Sequence, residues 1–220
     1  MCGRYTLTST PEELTAEFGL AAVPGEYRPR YNIAPGQPVA VLLAGEDGPQ
    51  FRFLRWGLVP FWADDPAIGH RVINARAEGL ATRPAFRRPF ERRRCLVLAD
   101  GFYEWRRDPG GKTPMLVRLA SRRPFALAGL WDRWVPRDGG EPLDSCTIVT
   151  TEASPFLRPI HDRMPVILDR GEREEWLRSD TSPERLRELL RPYGGELEAY
   201  EVSRLVNSPA NDVPACVEPV

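Results

Sequence analysis

One lysine, Lys112, and two histidines, His70 and His161, are all that a chain of 220 residues contains of either type. The scarcity restricts its amine chemistry, because a Schiff base must then form at Lys112 or at the amino terminus. The four cysteines, Cys2, Cys95, Cys146 and Cys216, are far apart and include no C-x-x-C pair. Neither a zinc site nor a disulfide framework is indicated, and a reducing, cytoplasmic setting is expected. No apolar run approaches the roughly 20 residues of a membrane span, and the first residues lack the apolar stretch of a secretion signal, so no membrane association is expected. G-x-S-x-G, Walker, G-x-G-x-x-G and H-E-x-x-H patterns are missing too. Nucleotide hydrolysis and zinc proteolysis are left without support, and no metal or cofactor is called for.

Arginine, by contrast, supplies 29 of the 30 basic side chains. The net charge of −1 argues against a generic nucleic-acid binder, but its distribution is uneven. Residues 71–107 hold ten arginines against four acids, whereas residues 169–201 hold ten acids against six arginines. A basic middle in a neutral chain is either a footprint for phosphates or a solvated face.

The second residue is the most telling. If Met1 is removed, Cys2 carries an α-amine and a thiol on adjacent carbons. An α-amine has a pKa of about 7.7–8.0, so a useful fraction is neutral near pH 7 and can attack an aldehyde. The thiol can then close onto the imine carbon to give a thiazolidine, which an internal cysteine cannot do. The bland alternative is that any small residue would serve at position 2.

Length suits one domain, residues 1–220, with a sizeable core. Thr10-Pro11-Glu12-Glu13 predicts a helix start with Thr10 as N-cap and Glu13 closing a capping box, and Gly19 predicts its end. Short apolar runs at 39–43, 51–56, 95–99, 102–106, 115–119, 125–131 and 146–151 are separated by turns such as 45–49 and 108–112, and they read as strands joined by hairpins. Residues 71–73 and 165–168 are also strand-like. Helices are expected at 172–178 and from Ser182-Pro183 to about 191, with a last strand at 197–203. The expected class is α+β, with a largely antiparallel, barrel-like sheet and a few short flanking helices.

Several segments are richer in special residues than packing requires. Tyr31-Asn32-Ile33-Ala34-Pro35-Gly36-Gln37 reads as a loop. Between Arg55 and Ala63, Trp56 reads as a core plug, whereas Trp62 looks exposed and suited to stacking on a base. Asn74, just past strand-like residues, reads locally as a helix N-cap, although its amide could equally hold a reacting group. Glu104 shares a strand face with Phe102, where an apolar setting would raise its pKa into the range useful for proton transfer; the alternative is that it points to solvent. His161 sits in Pro159-Ile160-His161-Asp162-Arg163, and such a loop histidine is commonly structural or solvated.

Together these segments resemble the SOS-response-associated peptidase (SRAP) family. The resemblance rests on Met-Cys-Gly-Arg-Tyr at the start, Tyr-Asn-Ile-Ala-Pro-Gly-Gln, Trp-Gly-Leu-Val-Pro-Phe-Trp, Asn-Ala-Arg-Ala-Glu, Ala-Asp-Gly-Phe-Tyr-Glu-Trp, His-Asp-Arg-Met-Pro and Val-Ser-Arg-Leu-Val-Asn, in that order from Cys2 to about Asn207. One departure is Gly79, where a threonine is expected in many members. The resemblance implies a single barrel-like domain that covalently traps abasic sites in single-stranded DNA through the second-position cysteine. It implies Cys2 as nucleophile supplying amine and thiol, Asn74 beside the crosslink, Glu104 as catalytic carboxylate and His161 as the histidine that assists Schiff-base chemistry and release. Arg4, Arg76 and Arg163 are implied near the DNA backbone, and Trp62 joins them as the stacking residue its own setting suggests. The expected protein is a monomer of the bacterial cytoplasm, drawn to the nucleoid when DNA is damaged. Two other functions stay open: an N-terminal-nucleophile thiol peptidase or autopeptidase, and a non-covalent reader of modified DNA.

Overall fold

The computed structural model describes residues 2–46 and 48–220; Met1, whose removal the sequence reading requires, and residue 47, within the expected 45–49 turn, lie outside the described residues. The chain enters as a short buried strand, β1 (Tyr5–Leu7), and turns into helix α1 (Pro11–Phe18). The predicted capping box is present: the Glu13 N–H donates to Thr10 Oγ1 at 3.3 Å, and the Thr10 N–H donates to Glu13 Oε2 at 2.7 Å. Gly19 ends the helix at φ 64°, a left-handed conformation that only glycine adopts without strain.

The expected apolar runs are strands. In chain order these are β2 (Arg30–Ile33), β3 (Pro38–Leu43), β4 (Gln50–Trp56), β5 (Asn74–Arg76), then helix α2 (Pro84–Arg92), β6 (Arg94–Ala99), β7 (Gly101–Asp108), β8 (Gly111–Leu119), β9 (Phe125–Trp134) and β10 (Leu143–Glu152). The last third of the chain adds β11 (Arg163–Pro165), β12 (Ile167–Leu168), α3 (Arg170–Leu177), α4 (Pro183–Glu188) and β13 (Leu197–Glu201). Strands β4, β3, β6, β9 and β10 pair antiparallel in that order, and β10 returns to β4 in parallel, Ser145 opposite Arg55. This closes a five-stranded mixed barrel with no free edge in the ring. Its interior is apolar and tightly filled: Gly129 is obligatory because a Cβ there would stand 2.7 Å from Cys95 Sγ. A second sheet, ordered β13-β8-β7-β1-β2, carries the amino-terminal strand beside β7.

The α+β, barrel-like reading therefore holds, and four local expectations are corrected. Residues Tyr31, Asn32 and Ile33 belong to β2, not to a loop. Of the strand-like residues 71–73, Arg71 ends a 3₁₀ turn (Pro66–Arg71) and the other two connect it to β5, which Asn74 opens in place of capping a helix. Helix α2 escaped notice because Pro84, Pro89 and its arginines disguise Phe86 and Phe90, four apart on the buried face. Finally, α4 ends at Glu188, short of residue 191.

Arg94 binds two helices to the barrel. It is almost fully buried, and its guanidinium donates to the Phe90, Glu91, Trp176 and Arg178 carbonyls at the C-terminal ends of α2 and α3. Arg94→Met should cost about 3 kcal/mol or more, because buried carbonyls lose their donors at about 1–3 kcal/mol each. The check is urea unfolding: the midpoint should fall while the slope stays the same.

Candidate active site

The amino-terminal strand is fixed by its neighbours. In the β1–β7 ladder Tyr5 lies opposite Phe102 and Thr6 opposite Gly101, and the Tyr103 N–H donates to the Arg4 carbonyl at 2.9 Å. Cys2 is thereby brought to the stretch of β7 that carries Glu104. Trp56 supports the arrangement from the barrel side, as a core plug: it packs edge-on to Tyr5 at 5.3 Å, and its indole N–H donates to the Ile73 carbonyl at 2.8 Å. The next residue, Asn74, is held by the parallel β5–β10 pairing opposite Ile148. Its Nδ2 donates to the Cys2 carbonyl at 2.8 Å, and its Oδ1 is buried with no partner among the described residues.

The electrostatics are those of a dry site. Cys2 is fully buried, and burial, reinforced by the Glu104 charge, pushes its thiol far above the ordinary cysteine value. The thiol is therefore protonated at neutral pH, and it faces the Arg4 carbonyl at 3.9 Å. Glu104 is buried too, against the alternative that it points to solvent, and burial raises its pKa to about 7. His161 Nε2 stands 3.8 Å from Glu104 Oε2. The Arg163 N–H donates to His161 Nδ1 at 3.0 Å, so the proton of the neutral ring is assigned to Nε2, facing Glu104. Burial holds the His161 pKa below its ordinary value, outweighing the neighbouring Asp162 carboxylate, and leaves the ring neutral at pH 7.

Four sequence-predicted residues, Cys2, Asn74, Glu104 and His161, thus come together from β1's approach, β5, β7 and the loop before β11. The predicted DNA contacts are more varied. Arg4 Nη1 is bonded to Asn32 Oδ1 at 2.8 Å and to the Val206 carbonyl at 2.6 Å. Arg163 forms a forked pair with Glu78 and donates to the Thr150 carbonyl at 2.7 Å. Arg76 is exposed on β5, two residues beyond Asn74. Trp62 is 46% exposed on the loop after β4, next to an equally exposed Phe61 whose ring lies 4.5 Å from the Arg88 guanidinium. Lys112 is exposed at the β7–β8 turn, opposite Arg107.

Thr150 lies fully buried beneath this surface. It pairs with Arg76 in β5 and Pro165 in β11, and its hydroxyl is buried without a partner among the described residues. Within an apolar run it reads only as strand, so no sequence signal marks it. Two clefts lie elsewhere: one of about 590 Å³ between α1, α3 and the β3–β4 hairpin, another of about 890 Å³ beside Arg52, Trp131 and Asp144. Neither includes Cys2. Among the described residues no group of three or more His, Cys, Asp or Glu side chains is arranged to hold a metal, and no helix is long and apolar enough to cross a membrane.

A small closed barrel that seats a near-terminal cysteine against a buried carboxylate, a histidine and an amide defines a compact class of α+β protein. Comparison with known proteins supplies its family. The model of the SOS response associated peptidase (SRAP) family matches residues 1–209, and the chain belongs to that family. It is 45% identical over 223 residues to the abasic site processing protein YoqW of Bacillus subtilis, covering 99% of each chain. It is 36% identical to the abasic site processing protein HMCES of Gallus gallus, covering 89% of this chain and 68% of that one. A crystal structure of a protein from Bacteroides thetaiotaomicron superposes with a TM-score of 0.90 at 25% identity, covering all of both chains.

Proposed function

We propose that this protein acts on abasic sites in DNA, as its relatives' names describe, and that it does so by binding the single strand and trapping the sugar covalently through Cys2. The observation that carries this reading is the Asn74–Cys2 hydrogen bond beside a buried Glu104 whose pKa is about 7. An amide then grips the residue that would bear the attacking amine, and a group able to give or take a proton at neutral pH stands beside it.

The abasic sugar is mostly a closed hemiacetal. Ionised Glu104 takes the anomeric hydroxyl proton and returns it to the ring oxygen as the C1′–ring oxygen bond breaks, which opens the ring to the C1′ aldehyde, while the His161 Nε2–H faces the Glu104 carboxylate. The α-amine of Cys2, once Met1 is removed, adds to C1′, and loss of one water gives the imine. Asn74 Oδ1 orients the sugar oxygen or the amine during these steps. The thiol then adds to the imine carbon, its proton ending on nitrogen by way of Glu104, and a thiazolidine results. Ring closure matters because an imine acidifies the adjacent carbon and invites strand-breaking β-elimination, whereas a thiazolidine offers no such electron sink.

The test is incubation with an abasic and an unmodified single strand. A denaturation-resistant shift should appear only with the abasic strand, the adduct should map to Cys2, and the intact mass should lack one methionine. An adduct mapping to Lys112 overturns the reading. Trp62→Ala should raise the Kd for unmodified single strand roughly 5- to 100-fold, the value of one lost stacking contact. Fluorescence anisotropy checks it, and in the same assay binding should weaken as salt rises.

A further inference from the structure

The motif around Asn32 plays no part in the chemistry above, yet the asparagine side chain makes four hydrogen bonds, one of them to Arg4. It is fully buried in β2. Its Oδ1 accepts from Arg4 Nη1 at 2.8 Å, while its two amide hydrogens are shared among the carbonyls of Val206 at 3.2 Å, Ser208 at 3.0 Å and Asn211 at 2.6 Å. The segment so held is clamped again: Asp212 Oδ1 accepts from the Tyr31 and Asn32 N–H groups at 2.6 and 2.9 Å, and Trp105 Nε1 donates to Asn207 Oδ1 at 2.8 Å. Arg4 completes the path. Its guanidinium is fixed by Asn32 and Val206, and its carbonyl accepts from the Tyr103 N–H, next to Glu104, and faces the Cys2 thiol.

We infer that Asn32 is a positioning residue, which uses the 206–212 strap and the Arg4 side chain to set the register of Cys2 against Glu104. This rests on the trapping reading above. A buried amide suits the task because it can accept from a cation and donate to carbonyls at once; aspartate would set a negative charge against three carbonyl oxygens, and leucine of similar shape would satisfy none of them. A small displacement at the reacting atoms suffices to slow a reaction: about 1 Å can cost on the order of 100-fold.

The test uses Asn32→Ala, Arg4→Gln and the double variant in the full chain. Crosslinking at saturating abasic strand should slow about 10- to 100-fold in Asn32→Ala, while its Kd for unmodified strand stays within about 2-fold. The double variant should be no slower than Arg4→Gln alone, since residues acting in series are not additive. Rates at saturation equal to wild type, or a loss appearing only in Kd, would overturn the inference. A second readout needs no DNA: alkylation by iodoacetamide, mapped by mass, should accelerate at Cys2 while Cys95 and Cys146 stay protected. Uniform acceleration at all three, which signals general loosening, also overturns it, and then Asp212→Asn, partly exposed, repeats the comparison in a milder background. If wild type forms no adduct, the trapping reading fails, and the alkylation pattern still decides whether Asn32 positions Cys2.

Discussion

Cys2→Ala should abolish the denaturation-resistant adduct with abasic single strand while leaving reversible binding nearly intact. The variant keeps the α-amine, so an imine can still form, but nothing closes on it. Without the second bond the imine hydrolyses or suffers β-elimination, and strand cleavage should rise as the stable adduct disappears. Cys2→Ser should behave likewise, because a hydroxyl adds to an imine far less readily than sulfur does. A reader of modified DNA that needs no covalent step would instead tolerate the serine. Lys112→Ala should change nothing, since that side chain is exposed at a hairpin. Denaturing electrophoresis of abasic strand with each variant checks all three; undiminished adduct in Cys2→Ala would falsify the mechanism. Asn74 grips the carbonyl of residue 2 and not its side chain, so these replacements leave the anchoring bond in place.

Glu104→Gln should slow adduct formation about 100- to 1000-fold, the ordinary contribution of a positioned acid–base group. The wild-type rate should show an inflection near pH 7, where Glu104 titrates, and the variant should lack it. Stability carries the same signature with a definite sign. Because the folded-state pKa is raised from 4.5 to about 7, the folded protein holds this proton more tightly than the unfolded chain does. Its contribution is complete below pH 4.5 and is lost as pH rises through 7. By about pH 8 the ionised, buried carboxylate costs about 3 kcal/mol, which glutamine avoids. The stability of Glu104→Gln relative to wild type should therefore grow by up to about that amount between pH 4.5 and 8, as measured by urea unfolding. An unchanged difference across that range contradicts a buried, titrating Glu104.

Much of this was legible in the chain, for identifiable reasons. The strands β3, β4 and β6 to β10 announce themselves because apolar runs are bounded by turn residues, and α1 because Thr10, Pro11 and Glu13 leave one local solution. Closure of the barrel was not legible: it depends on β10 pairing with both β9 and β4, contacts that no local pattern encodes. Strand β5 is only three residues long and exists because β10 offers it an edge, so Asn74 looked like a cap. At the site, Cys2, Asn74, Glu104 and His161 lay in motifs rich in special residues, and Glu104's buried face followed from its spacing with Phe102. The partners of Arg4 and Arg163 did not, since Asn32, Val206 and Glu78 reach them from distant segments.

The parallel seam between β4 and β10 joins Arg55 to Ser145, and Asn74 reaches its place only by riding on that same late strand. During synthesis the first residues leave the ribosome long before β10 exists. The proposed nucleophile can meet Glu104 through the β1–β7 ladder, but Asn74 and the loop bearing His161 take their places only once β10 is in the ring. A nascent or truncated chain ending before residue 143 would hold Cys2 and Glu104 but lack His161 and the strand that seats Asn74, so on the proposed mechanism it should form no adduct.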